Sequence, residues 1–283
     1  MISRQEKNKV YVNEIKKEQA ISVSKKILKV FLVIFLLFAG LFSYTYFIGV
    51  KGLKTKEIKI INQNIPDSFN GIKILHFTDL LYGSTIKDEE LETLLKEIKL
   101  INPDIVFFTG NVLMENYDIK ENELKIINNF FNDIPYHIGK YAVRGNLDKS
   151  SFDLIMDKTD FIILDNENID VYHNDTTPIN ITGININNHD NIASSNTNFT
   201  ITLINNYDEY KKKNITSNLV FAGHNLGGEI RFFGIPLLGD SKYLDSHYKE
   251  GNTDIYISSG LGTVHHMRFL NKPSINVYRL YNH

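Results

Sequence analysis

The 283-residue chain contains no cysteine, which excludes disulfide bonds, thiolate zinc sites and cysteine nucleophiles. It also lacks an excess of charge of either sign. Its 31 Lys and Arg against 33 Asp and Glu give a formal net charge of −2, so no global basic field favours nucleic acid as a partner. About 230 residues lie beyond the N-terminal tail and one apolar run, enough for one α/β domain that buries a sizeable core without disulfides or a structural metal.

The apolar run covers residues 30–50 and reads VFLVIFLLFAGLFSYTYFIGV, without a charged residue. About 20 apolar residues span a bilayer as a helix, so the run predicts one transmembrane helix. Residues 1–29 hold eight Lys and Arg against four in 51–60. This bias predicts a single-pass protein of the cell membrane with its N-terminus inside and its C-terminal domain extracytoplasmic. A cleaved signal peptide is the alternative, but the run is longer than a usual signal and no small-x-small cleavage site follows it.

Four segments are predicted: a basic cytoplasmic tail at 1–29, the transmembrane helix at 30–50, a lysine-rich lead-in at 51–71, and an α/β domain at 72–283. Apolar residues at helical spacing predict helices over 88–101 and 123–133. Short runs rich in β-branched and aromatic residues predict strands at 72–78, 104–110, 136–146 (one long strand or a pair), 162–165, 179–184, 199–205, 219–225, 254–260 and 274–280.

Five of the predicted strands end in a polar residue beside a turn. These residues are Asp79, Asn111, Asn146, Asn205 and His224. In open α/β sheets, ligand-binding residues gather outside the carboxyl ends of the strands. A single Asp after a strand is more often a turn or helix cap, so the order and spacing of all five carry the signal.

The segments around these residues resemble, in order, the metal-binding motifs of the calcineurin-like metallophosphoesterases. They read IKILHFTDLLYGS, NPDIVFFTGN, GKYAVRGNLD, ITLINNYDEY and LVFAGHNLGGEIR. The closing segment, YISSGLGTVHHMRFLNKPSINVYRL, resembles the membrane-anchored bacterial branch of that family. The resemblance implies a four-layer α/β/β/α sandwich of two mixed β-sheets flanked by helices. It also implies a site that in the family holds two divalent metals, Mn, Fe or Zn.

The sequence departs from the family pattern at the ligands themselves. The resemblance retains three ligand positions, Asp79, Asn146 and His224. The remaining family positions are changed: Leu81 and Leu226 replace metal-binding histidines, Asn111 replaces the bridging aspartate, Asn205 replaces a histidine, and Leu147 replaces the histidine that protonates the leaving group. Leucine offers no lone pair and an amide brings no charge. Asp79, Asn111, Asn146, Asn205 and His224 are therefore expected to form a vestigial, weak metal site, with no catalytic residue.

Electrostatics leads to the same expectation. Two dications about 3.7 Å apart repel by roughly 18 kcal/mol at an effective dielectric constant near 20. A bridging carboxylate and hydroxide normally offset this repulsion, and the neutral Asn111 cannot. We therefore expect no metal cofactor to bind tightly. Loss of the acid at Leu147 removes a contribution typically worth about 10²–10⁴ in rate.

Other residues near the motifs each carry two interpretations. Arg144 precedes Gly145-Asn146 and is a candidate phosphate contact, but it could equally pair with a carboxylate or extend into solvent. His265 and His266 could supply substitute imidazoles, although structural or solvent-facing roles are commoner. His76, inside a strand, is predicted to be a core residue.

Three functional hypotheses follow. The favoured one is a catalytically impaired pseudo-phosphoesterase that keeps the fold and the ligand pocket and binds a phosphate-containing ligand, a lipid headgroup or a protein partner. The second is an active phosphoester hydrolase at the membrane that uses one weakly held metal or relocated ligands. The third is a structural module in which the membrane helix, which contacts lipid, and the basic tail carry the function.

Overall fold

The computed structural model describes residues 4–186, 197–212, 215–232, 234–237, 243–244 and 246–283. The chain divides into two compact units, Met1–Ile48 and Gly49–His283. The first three residues of the predicted tail lie outside the described residues.

The first unit is one long helix. Helix α1 covers Arg4–Ser43 and continues as a π-helical turn over Tyr44–Ile48. The stretch Tyr11–Ile48 is long and apolar enough to cross a membrane, and its most apolar window has no buried residues. The helix starts well before the predicted span, because the Lys, Glu and Gln residues of the tail are good helix formers that extend the apolar helix.

The second unit contains four helices and fourteen strands among its described residues. The helices are α2 (Asp88–Ile101), α3 (Glu121–Asn132), α4 (Ser150–Met156) and α5 (Tyr207–Tyr210). The strands are β1 (Lys54–Ile61), β2 (Lys73–Phe77), β3 (Ile105–Phe108), β4 (Gly139–Ala142), β5 (Ile162–Ile163), β6 (Glu167–Val171), β7 (Ile179–Ile184), β8 (Thr200–Ile204), β9 (Leu219–Ala222), β10 (Arg231–Phe232), β11 (Ile235–Pro236), β12 (Ser246–Glu250), β13 (Thr253–Ile257) and β14 (Ser274–Tyr281).

Local sequence explains where these elements begin and end. In α2 the Glu90 carboxylate accepts a hydrogen bond from the backbone N–H of Lys87, which closes the first turn. Asn102 adopts the left-handed conformation directly after the helix, and Pro103 cannot continue it. The predicted bounds of this helix are confirmed.

Two mixed six-stranded sheets form the centre of the domain. The first has the order β1-β14-β2-β3-β4-β5, and the second has the order β12-β13-β9-β8-β7-β6. Strands β2, β3, β4 and β5 are parallel, as are β7, β8, β9 and β13. All these parallel strands deliver their carboxyl ends to one edge of their sheet, which positions the site.

Three apolar cores separate the layers. Helices α2, α3 and α4 cover one face of the first sheet, for example through Leu94, Phe131 and Phe152. A second core, including Phe107 and Phe221, lies between the two sheets. The outer face of the second sheet packs against the short α5 and other segments of the same chain. The predicted α/β sandwich is confirmed, with a thin fourth layer in the part of the chain that the structure describes.

Several elements differ from the expectation. The lead-in predicted at 51–71 contributes β1, which pairs in parallel with β14 along all eight residues, so the sheet begins before residue 72. Its lysines mask the strand signal because they lie on the exposed positions of an edge strand. The segment 136–146 contains one four-residue strand, and α4, β6, β10, β11 and β12 were not predicted.

Candidate functional site

The five polar residues predicted at strand ends meet at one place. Asp79, Asn111 and Asn146 follow β2, β3 and β4 of the first sheet, and Asn205 and His224 follow β8 and β9 of the second. Asp79, Asn111 and Asn205 are almost fully buried, whereas Asn146 is exposed and His224 is half-buried. The structure therefore brings together the five residues that the motif order singles out.

The carboxamide of Asn111 is the centre of the cluster. Its Nδ2 donates to Asp79 Oδ1 at 2.7 Å and to Asn146 Oδ1 at 3.1 Å, and lies 3.4 Å from Asn205 Oδ1. Its Oδ1 accepts from the backbone N–H of Leu147 at 2.9 Å, which fixes the direction of the amide. One NH₂ group thus faces three oxygens from three different loops.

The single carboxylate of the cluster is fully engaged. Asp79 Oδ2 accepts from the backbone N–H of His224 at 2.8 Å and from Thr78 Oγ1 at 3.1 Å, and its Oδ1 accepts from Asn111. Burial raises the pKa of the Asp79 carboxyl, against the opposing effects of His224 and Asn111. Its lone pairs point at protein donors, so a cation would have to displace them.

The backbone of the site keeps an unusual conformation. Asp79, Leu81, Asn111, His224 and Leu226 all have positive φ, between 45° and 73°. A non-glycine residue in this region costs roughly 1–2 kcal/mol, and leucine has no side-chain hydrogen bond to offset it. Leu81 and Leu226 are buried, although the resemblance assigns histidines to both positions. The loops thus keep a shape that their present side chains do not require.

Two glycines allow the loops after β3 and β4 to approach each other. A Cβ on Gly110 would lie 2.2 Å from the backbone nitrogen of Gly145, and a Cβ on Gly145 would lie 2.1 Å from Asn111 Oδ1. Either clash would separate Asn111 from its partners.

Sequence reasoning missed Asp148, a second buried carboxylate beside the cluster. It accepts backbone N–H bonds from Asn111 at 2.7 Å, Gly145 at 2.8 Å and Val112 at 2.9 Å. Burial raises the pKa of Asp148 to about 6, although these three donors oppose the shift. The signal was present in the third motif, GNLD, where the final Asp is the one acid that the motif retains.

Arg144, His265 and His76 all have partners away from Asn111. The Arg144 guanidinium contacts Asp153 and lies 3.7 Å from Asp165, so it pairs with carboxylates, and its role as a phosphate contact stays a prediction. His265 Nδ1 lies 2.5 Å from Glu229 Oε2. His76 is completely buried in the core with its Nε2 2.9 Å from Thr109 Oγ1, which confirms its predicted core role.

Comparison with known proteins agrees with this architecture. No family model matches the chain. A Bacillus subtilis protein described as the uncharacterized metallophosphoesterase YkuE is 27% identical over 263 residues, which is 85% of this chain and 90% of the relative. A Campylobacter jejuni uncharacterized metallophosphoesterase, Cj0846, is 28% identical over 124 residues, 42% of this chain and 32% of that protein. A zebrafish (Danio rerio) transmembrane protein with metallophosphoesterase domain is 23% identical over 121 residues, 43% of this chain and 26% of that protein.

Two mixed sheets flanked by helices, with motif residues meeting at their carboxyl edges, are consistent with an α/β calcineurin-like fold. The chain is similar to proteins named metallophosphoesterases and carries an N-terminal apolar helix that could span a membrane.

The residues of this site do not fit the two divalent metals of the family. Across the described ranges, no three His, Cys, Asp or Glu side chains form a group that could hold a metal ion. Asp79 is the one carboxylate among the five converging residues, and protein donors use both of its oxygens. The Asn111 amide directs hydrogen atoms, not lone pairs, towards the other oxygens. The assignment of the five residues as weak metal ligands stays a prediction.

Proposed function

We propose that the chain is a non-hydrolysing member of its family, anchored in the membrane, which keeps the fold and a ligand-binding site without the metal pair. The observation that carries this proposal is the Asn111 amide, whose NH₂ group donates to Asp79 and Asn146 and faces Asn205. A metal ion joins ligands from separate loops by attracting their lone pairs. Here one neutral donor attracts the same kinds of oxygen.

The same contacts argue against two-metal hydrolysis of a phosphoester. Two-metal hydrolysis needs cations that lower the pKa of a bound water and hold the phosphoryl oxygens. Asn111 supplies neither function, and Leu147 has no proton to give to a leaving group. The side chains of the cluster that reach solvent are Asn146 and His224, 3.2 Å apart, so a phosphate-containing ligand or a protein partner would meet an amide and an imidazole.

The anchor is helix α1, with its N-terminus inside and the domain outside. The eight Lys and Arg before residue 30, against four in 51–60, support this direction. The domain would then act at the outer surface of the cell membrane.

Metal analysis of the full chain tests the proposal. Wild-type protein in nanodiscs is dialysed against submillimolar Mn²⁺ or Zn²⁺, beside the variant that carries Leu81→His, Asn111→Asp, Leu147→His, Asn205→His and Leu226→His. We expect no bound metal and no hydrolysis of a chromogenic phosphodiester for the wild type. The variant should bind two metal ions per chain and gain activity, because the five loops that carry these positions already meet at one place.

A single-metal hydrolase is the alternative, and Asp79, Asn146 and His224 favour it because these family ligands survive together. One equivalent of bound metal together with turnover in the wild type would establish that alternative and overturn the proposal. Because five substitutions could unfold the domain, the double variant Leu81→His/Asn111→Asp is measured in parallel. A metal-induced rise in the melting temperature of the double variant, with none in the wild type, would support the proposal without an activity measurement.

A further inference from the structure

The domain exposes five large apolar side chains on neighbouring segments. Phe232, Ile235 and Leu237 lie on the β10–β11 hairpin, with 41%, 67% and 60% of their surface exposed. Val264 and Leu270 lie on the loop 263–272, with 43% and 67% exposed. We call these five side chains the rim surface. Single exposed apolar residues are normal on soluble domains, but a cluster of this kind marks a surface that contacts something apolar.

The hairpin and the loop pack against each other and are joined by backbone hydrogen bonds. The rings of Phe232 and Phe269 stack with centroids 5.5 Å apart. The backbone N–H of Arg231 donates to Phe269 O at 3.0 Å, and that of Phe269 donates to Glu229 O at 3.1 Å.

The rim surface adjoins the candidate site. The backbone N–H of Gly262 donates to Asp79 O at 2.8 Å, directly before the loop. At its other end, Asn271 Nδ2 donates to Leu226 O at 2.7 Å. Whatever covers the rim surface therefore lies next to the site.

The chain enters the domain at this same edge. Strand β1 starts at Lys54, which is paired with Ser274 of β14. Two residues further along β14, Asn276 is paired with His76 of β2. Lys54 is thus level with the end of β2 and with Asp79, and its N–H donates to Pro273 O at 2.9 Å. Residues 49–53 join Ile48 to Lys54, and six extended steps reach at most about 20 Å for any orientation of the helix. If α1 spans the membrane, the end of the helix therefore lies within about 20 Å of Lys54.

Positive charge lies beside the rim surface. Lys51 and Lys54 in and after the linker are exposed, as is Lys272 at the end of the loop. Lysines near an anionic bilayer surface are attracted to it. Apolar side chains flanked by exposed lysines are the composition of surfaces that rest in the headgroup region.

We propose that the rim surface inserts into the headgroup region of the bilayer that holds α1, so that the site opens towards lipid headgroups at the membrane surface. The inference rests on the proposed membrane anchor and extends it, because it assigns the face of the domain that contacts lipid. A ligand that reaches Asn146 and His224 would then come from the bilayer surface.

The absence of tryptophan from the chain makes this testable with fluorescence. The full chain carrying Ile235→Trp is reconstituted in vesicles of phosphatidylcholine and phosphatidylglycerol, with and without brominated acyl chains, which quench tryptophan on contact. Leu237→Trp is a second probe on the same hairpin. Leu100→Trp is the matched control, since Leu100 is 83% exposed in the last turn of α2, at the opposite end of the first sheet.

We expect several-fold stronger quenching and a blue-shifted emission for both hairpin probes relative to the control. Equal quenching at Ile235→Trp and Leu100→Trp overturns the proposal. A blue shift without quenching also overturns it, because a second copy or another protein then covers the surface. Flotation of the same vesicles tests the membrane anchor separately from the contact of the rim surface with lipid. A chain that does not float contradicts both the anchor and the contact. A chain that floats but whose hairpin probes are not quenched contradicts the contact alone. Equal melting temperatures show that each variant is folded.

Discussion

At each end of the first sheet a polar side chain holds neighbouring segments together, but the side chain is neutral at one end and charged at the other. At the carboxyl end, the neutral Asn111 amide holds loops from both sheets together through Asp79, Asn146 and Asn205. At the amino end, the buried ammonium of Lys140 in β4 donates to Phe131 O at 2.9 Å, close to the end of α3, and pairs with Asp160.

Charge at the amino end stabilises the fold, whereas charge at the carboxyl end would serve to bind a metal. Lys140 lies where the carbonyls at the end of a helix attract a cation, and Asp160 balances it. Burial lowers the pKa of Lys140, and Asp160 opposes that shift. At the site, the neutral Asn111 stands where the family resemblance assigns a bridging aspartate, although the loops have positive φ angles. A buried charge therefore holds the amino end of the sheet, whereas at the carboxyl end Asp79 is the one carboxylate among the five converging residues.

The largest expected effect comes from returning charge to the centre of the site. Asn111→Asp removes the 2.7 Å hydrogen bond to Asp79 and places two buried carboxylates in contact. An uncompensated buried charge costs about 3–5 kcal/mol, so the melting temperature of metal-free protein should fall by roughly 6–20 °C at neutral pH. The deficit should shrink as the pH falls, because two adjacent carboxylates can share one proton.

Asn206→Asp provides the matched control for this substitution. The Asn206 side chain accepts the N–H of Asp208 at 2.9 Å as the cap of α5, and a carboxylate accepts that bond equally well. Its melting temperature should stay close to the wild type. An unchanged melting temperature for Asn111→Asp without metal would show that the amide does not hold the site together.

A smaller loss is expected at the other end of the sheet. Lys140→Met keeps much of the apolar stem but leaves Phe131 O and Ile134 O without their donor. Buried acceptors without partners cost about 1–3 kcal/mol, which thermal unfolding of the full chain can detect. Lys99→Met is the control, since Lys99 lies 3.5 Å from Asp133 with both side chains exposed, and such pairs contribute at most about 1 kcal/mol. Equal losses of stability for Lys140→Met and Lys99→Met would show that the buried Lys140 stabilises the amino end no more than an exposed ion pair does.

The sequence predicts the scaffold well and the interior of the site only in part. Apolar periodicity locates α2 because its buried face dictates the pattern, and short runs rich in β-branched and aromatic residues locate the fully buried β3 and β7. The strand-end residues are predictable because parallel strands share one carboxyl edge. The direction of the Asn111 amide is not, since it depends on the N–H of Leu147 in another loop. Edge strands such as β1 and β12 also escape prediction, because solvent-exposed residues on both faces remove the period-two signal.

The smallest effect near neutral pH concerns His76, which lies between the two ends in the middle of β2. Burial lowers the pKa of His76 to about 3, from an ordinary value near 6.5. The unfolded chain therefore binds a proton below about pH 6.5 that the folded protein does not, so the stability that the neutral imidazole contributes is present above that pH and is lost as the pH falls towards 3. Between about pH 6.5 and 5 the loss amounts to about 2 kcal/mol. His76→Leu should reduce the difference in melting temperature between pH 7 and pH 5, whereas His137→Leu, at an exposed histidine, should not. The buried carboxyls of Asp79 and Asp148 cannot produce this loss, because their raised pKa values make the folded protein gain stability as the pH falls. If both variants keep the full acid sensitivity of the wild type, His76 does not determine the response to acid.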